Sequence, residues 1–117
     1  LRNLNITVLE AEDGRNALET LAQNDDVRLV ITDYNMPNLD GFGLIEELRA
    51  SKSKERLAII GVSAEGGGQT VRFLKVGAND FLVKPVEVEE FTCRVHMQLD
   101  MLDLLESLRE LRAAHKG

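Results

Sequence analysis

The chain has a single cysteine, Cys93, so no internal disulfide can form and a reducing compartment is the natural setting. Its two histidines, His96 and His115, lie far apart, and with one cysteine they supply too few ligands for a zinc site. No Ser/His/Asp or Cys/His arrangement suggests nucleophilic catalysis. No apolar run is long enough to span a membrane, and nothing resembles a signal peptide. Positive charge is in deficit: 14 Lys and Arg stand against 20 Asp and Glu, a net charge of -6. That balance argues against a nucleic-acid or anionic-membrane surface. Internal repeats and low-complexity segments are missing too. What remains is 117 residues, 44% hydrophobic and 29% charged, enough for one ordinary domain with one core.

Short apolar runs alternate with helical patterns. Ile6 to Leu9 is β-branched and apolar and predicts a strand, turned by Glu10 to Gly14. Ala17, Leu18, Leu21 and Ala22 share one helical face. Leu29 to Thr32 reads as the next strand, and Asp40 as the N-cap of a helix carrying Phe42, Leu44, Ile45 and Leu48. A third strand covers Leu57 to Val62. Gly66, Gly67 and Gly68 leave the segment from Glu65 to Gln69 little restricted and predict mobility there. Val71, Phe73, Leu74 and Val76 predict a short helix stopped by Gly77. Asp80 to Lys84 is a fourth strand, ended by Pro85. The last helix starts near Glu87 and runs to about Ala113. Phe91, Val95, Leu99 and Leu102 form the stripe facing the sheet, and Met97, Met101, Leu104, Leu108 and Leu111 form a heptad seam for a partner. The alternation predicts an α/β fold, a parallel sheet with helices on both faces and right-handed crossovers.

In such a sheet all strands end on one edge, where ligands bind. Three of the strands end in functional groups: Asp33, Ser63 and Lys84. A carboxylate can attack phosphorus and form an acyl phosphate. A hydroxyl can donate to a phosphoryl oxygen, and a cation can stand beside the developing charge. Each residue alone is more often a turn, cap or solvated end-of-strand group. Together they make a phosphoryl-handling site.

Asp33-Tyr34-Asn35-Met36-Pro37-Asn38-Leu39-Asp40-Gly41, then Val62-Ser63-Ala64, then Gly77 through Lys84-Pro85, resembles the receiver domain of bacterial response regulators. Leu9 to Gly14 fits that family's second strand and turn, and the likeness covers about Ile6 to Leu99. It implies a flavodoxin-like doubly wound sheet of order 2-1-3-4-5. It implies that Asp33 accepts a phosphoryl group from a histidine kinase or phosphotransfer protein, that Ser63 binds the group and that Lys84 pairs with it. Mg2+ would be held by Asp33 and the backbone carbonyl of Asn35. Phe81 would be the aromatic switch, moving inward as Ser63 is drawn to the phosphate. The Lys84-Pro85 bond would be cis. The setting would be the bacterial cytoplasm.

A complete receiver begins with a central strand ending in an acidic pair that holds Mg2+. This sequence has no such strand, and Leu1 to Asn5 resembles only the end of the helix that follows it. Glu12 and Asp13 belong to another turn and are not expected as ligands. The gap predicts a weak metal site and a sheet with two unpaired edges. Three explanations stand: a segment of the natural protein precedes Leu1, another chain supplies the strand, or the receiver is degenerate. The intact residues after the gap favour the first. Residues 1–99 then form the receiver, and 100–117 continue the last helix as a coiled-coil linker. That linker resembles those leading into output domains of the GGDEF or HD type or into hybrid kinases, and its seam predicts a homodimer. The chain itself is expected to be no enzyme. The alternative is a degenerate receiver acting as a phosphorylation-independent dimerisation module. A haloacid-dehalogenase-type phosphatase is disfavoured, since that chemistry wants an acid where Asn35 stands.

Overall fold

The computed structural model describes residues 7–64 and 68–116. The elements run β1 (Val8–Ala11), α1 (Gly14–Gln23), β2 (Leu29–Asp33), α2 (Gly41–Arg49), β3 (Ala58–Ser63), α3 (Gln69–Val76), β4 (Asp80–Val83) and α4 (Val88–Lys116). The four strands make one parallel sheet of order β1-β2-β3-β4. The α/β architecture and the long last helix follow the sequence. The readings of Leu1 to Ile6 and of the loop around Glu65, Gly66 and Gly67 lie outside the described residues.

The sheet closes where the sequence predicts a gap. Val8 pairs with Leu29 and Ala11 with Thr32, so β1 bonds directly to β2. The reason is the cost of orphaned backbone groups: the inner edge of β2 is buried, and its amides and carbonyls need partners. The remaining parallel strand provides them. Strand β1 also starts later than expected and takes in Glu10 and Ala11, which the sequence reads as a turn.

Two apolar layers cover the sheet. On one face Val30 and Ile59 pack under α1, α2 and α3 with Ala17, Leu21, Leu44, Ile45, Leu48 and Phe73. On the other, Leu29, Ile31, Ala58, Ile60 and Leu82 pack under Val95 and Leu102 of α4. Ala22, Val71 and Leu74, placed in apolar faces by their spacing, are exposed. Helix α4 spans 29 residues, about 43 Å at the usual rise. Its stripes separate as their spacing predicts: Val95 and Leu102 are buried, while Met97, Met101, Leu104, Leu108 and Leu111 are exposed. Among the described residues no helix is long and apolar enough to cross a membrane.

The sheet end opposite the candidate site is locked by Arg49 of α2. Its Nε donates to the Gly77 carbonyl at 2.8 Å, its Nη1 to the Leu57 carbonyl at 2.8 Å, and its Nη2 to Asn79 Oδ1 at 2.8 Å. Asn79 Oδ1 also accepts from the Ile59 amide at 2.8 Å. Burial pushes the Arg49 guanidinium below its ordinary value, though it stays charged at neutral pH. The fork geometry, which lysine lacks, joins α2 to the turns before β3 and β4. Arg49→Lys and Arg49→Met should each lower stability by about 2–4 kcal/mol, because several half-buried acceptors lose their donor. Urea unfolding that shows an unchanged midpoint in both variants would contradict this role.

Candidate functional site

The register of the parallel sheet sets the site. Asp33 pairs with Val62, one residue before Ser63, and Ser63 pairs with Val83, one residue before Lys84. The three strand ends therefore arrive side by side. Lys84 Nζ donates to Asp33 Oδ2 at 2.5 Å, an ion pair half open to solvent. Asp33 Oδ1 accepts from the Tyr34 amide at 2.8 Å. Both carboxylate oxygens are thus engaged, one by a fixed dipole and one by a mobile cation.

Ser63 is fully buried, and its hydroxyl reaches the Leu82 carbonyl at 3.4 Å rather than Asp33. Phe81 sits half-buried on β4 opposite Gly61, with its amide donating to Asp80 Oδ1 at 2.8 Å. Asn35 is exposed in the loop after β2. The Lys84-Pro85 peptide is cis. The structure thus brings Asp33 and Lys84 into contact and sets Ser63 on the adjacent strand end.

Sequence reasoning missed what fixes Asp33 from below. Thr32 is buried, and its Oγ1 donates to the Asp33 carbonyl at 2.9 Å and lies 3.5 Å from Met36 Sδ. Gly41 opens α2 directly against Asp33: its amide donates to the Tyr34 carbonyl at 2.9 Å, and an added Cβ would lie 2.1 Å from the Asp33 carbonyl oxygen. The Asp40-Gly41 pair signals a helix start, which is correct, since Asp40 Oδ1 caps the Gly43 amide at 2.8 Å. The close approach of Gly41 leaves no local signal. The Tyr34 ring packs at 6.2 Å from Phe42, which lies 4.8 Å from Phe73 and under the Arg72 guanidinium at 4.2 Å.

Donors for a metal are few. Glu12 is exposed, and Asp13 caps α1, its Oδ1 accepting from the Asn16 amide at 3.0 Å. That amide, and next the Asn38 side chain, hold the Asp13 carboxyl below its ordinary 3.8. Among the described residues no three His, Cys, Asp or Glu side chains gather as a metal cluster. Asp33 is the carboxylate at the strand ends, with the Asn35 carbonyl in the adjoining loop. One carboxylate and a carbonyl meet the lower bound of what Mg2+ uses, and then only with a phosphate oxygen added.

A four-stranded parallel edge with an Asp held by a Lys across it defines a class. The family model for the response regulator receiver domain matches residues 1–96, and the chain belongs to that family. The chemotaxis protein CheY homolog of Campylobacter jejuni strain 81-176 is 46% identical over 79 residues, which is 67% of this chain and 61% of that protein. Chemotaxis protein CheY1 of Helicobacter pylori strain J99 is 42% identical over 79 residues, 67% of this chain and 64% of that protein. The chain therefore spans about three fifths of the length of these curated relatives. Among solved structures, a two-component system response regulator/GGDEF domain protein aligns at TM-score 0.80 with 40% identity, covering 86% of this chain and 52% of that one.

The Gly41 contact is testable by itself. Gly41→Ala should cost about 1–3 kcal/mol, since its methyl must displace backbone rather than a flexible side chain. Denaturant midpoints measure it, and a variant as stable as the parent would show that the loop has room the distances deny.

Proposed function

We propose that this chain is a phosphoacceptor module, with Asp33 taking a phosphoryl group from a phosphohistidine of a histidine kinase or phosphotransfer protein. The observation that carries the reading is the Lys84–Asp33 ion pair at the carboxyl edge. An oxygen of Asp33 attacks phosphorus, the new O–P bond replaces the N–P bond, and the imidazole leaves with a proton. Lys84 then pairs with the phosphoryl oxygens instead of the bare carboxylate. Ser63 donates its hydroxyl to the same group, giving up the long contact to Leu82, and Phe81 takes the space this opens. Asp33 and the Asn35 carbonyl are the donors this chain offers to Mg2+, which would neutralise phosphoryl charge.

The state of Asp33 is read out through α4, with residues 1–99 as the receiver and 100–117 as linker. Arg94 Nη1 bridges both oxygens of Asp80 at 2.9 Å, and Arg28 Nη1 meets Asp103 at 2.8 Å. At about 100° per residue, Arg94 and Asp103 stand on opposite flanks of the helix with Val95 and Leu102 between them. The exposed seam from Met97 to Leu111 lies on the Arg94 flank, turned away from the sheet. It suits a second copy of the chain packed in parallel, and continuation into an output domain in a longer protein. The resemblance to a response regulator/GGDEF domain protein supports the continuation into an output domain.

The second reading, a dimerisation module without phosphotransfer, draws on the absence of a carboxylate cluster for a metal among the described residues. Incubation with acetyl phosphate and Mg2+ separates the two. Wild type should gain a phosphoryl-sized mass that Asp33→Asn does not, and Lys84→Ala should slow the gain about a hundred-fold. No gain in wild type favours the second reading. Independently, Leu104→Glu with Leu108→Glu should convert a dimer to a monomer in sedimentation, because charges enter the seam. A wild-type chain that sediments as a monomer at high concentration would remove the dimer from both readings.

A further inference from the structure

The loop between Asp33 and α2 is pinned from outside by α1. Asn38 has φ 70°, and among the described residues it is the one non-glycine with a positive value. The Leu39 amide donates to the Pro37 carbonyl at 2.8 Å, so Asn38 centres a three-residue turn of the strained hand. Such a residue costs about 1–3 kcal/mol and persists only where its surroundings over-determine it. Here the surroundings are the start of α1. Asn38 Nδ2 donates to Asp13 Oδ2 at 2.5 Å, across 25 residues of sequence. Gly14 is buried against Leu39, and a Cβ there would lie 2.1 Å from the Leu39 carbonyl oxygen.

The inner end of the same loop is the acceptor. The Gly41 amide holds the Tyr34 carbonyl at 2.9 Å, and the Tyr34 amide holds Asp33 Oδ1 at 2.8 Å. We propose that Asp13 is a positioning residue for Asp33: through Asn38 it holds the strained turn that keeps the Tyr34 amide aimed at the acceptor carboxylate. The inference rests on Asp33 being the acceptor. Helix capping alone does not require this carboxylate, since serine caps about as well as aspartate. The second oxygen, the one a cap does not need, is the one on Asn38. The same clamp ties the β1–α1 unit to the acceptor loop, so a partner that moves α1 would alter the reactivity of Asp33.

Two variants of the full chain isolate the clamp. Asp13→Ser keeps an N-cap but cannot reach Asn38. Asn38→Gly accepts the positive φ without strain and loses the side-chain bond. Native-state amide exchange should show Tyr34 and Leu39 exchanging roughly five-fold faster in each variant, the order expected from losing one charge-assisted hydrogen bond. The Ile59 amide in the core should keep its rate. The double variant should be no faster than either single one, because both remove the same contact. The rate of phosphoryl gain from acetyl phosphate should change by the same factor in both variants. Unchanged exchange at Tyr34, multiplying effects in the double variant, or equal acceleration at Ile59 would each overturn the proposal, the last by reducing Asp13 to a stability role. A wild-type chain that takes no phosphoryl group fails the acceptor reading instead, while amide exchange still decides whether the clamp exists.

Discussion

Strands β2 and β3 are hydrogen-bonded in parallel and buried on both faces, and the site depends on that pairing. Leu29, Val30, Ala58, Ile59 and Ile60 are fully excluded from solvent. Each large side chain among them contributes about 1.5–3 kcal/mol by burial. The Lys84–Asp33 pair is by contrast half exposed, and such pairs contribute about 0–1 kcal/mol. The sheet therefore fixes where the two groups stand, and the ion pair fixes almost nothing. That division suits a switch. On the proposed phosphoacceptor reading, Lys84 would trade a carboxylate for a phosphoryl group without disturbing what holds the fold together.

The same contrast explains what was legible in the sequence. Strands β2, β3 and β4 announce themselves as short apolar runs, and Asp33, Ser63 and Lys84 stand where those runs stop. The two stripes of α4 are equally local, and all five heptad residues are exposed. Other features need contacts between distant residues. Arg49 reaches Asn79 across 30 positions and Asp13 reaches Asn38 across 25. No periodicity marks them. The pairing of β1 with β2 is of this kind as well: it follows from the need to satisfy a buried edge, not from either strand's residues. Ala22, Val71 and Leu74 fail for a simpler reason. Spacing places them on an apolar face, but the helices are short and their edges reach solvent.

Glycine also carried two meanings. Gly41 reads as the residue after an N-cap, which it is. Its second use, letting α2 start in contact with the Asp33 carbonyl, depends on where the chain lies in space. A backbone that passes this close to the acceptor leaves the loop from Tyr34 to Asp40 little freedom at its inner end. Any adjustment near Asp33 must then be taken up at the outer end, where Asn38 already holds an unfavourable φ.

Strand β4 links the partner of Asp33, Lys84, to α4. It has four residues, about 13 Å of extended chain. Asp80 at its start is bridged to Arg94 of α4, and Lys84 just past its end is paired with Asp33. A strand this short, bonded along its length to β3, has little slack between its ends. Strand β4 thus runs from a residue paired with Arg94 of α4 to one paired with Asp33, and Arg28 meets Asp103 on the other flank of that helix. Between these two pairs, buried Val95 and Leu102 seat α4 on the sheet. On the proposed phosphoacceptor reading, a change at Asp33 would reach a partner helix through the exposed seam from Met97 to Leu111.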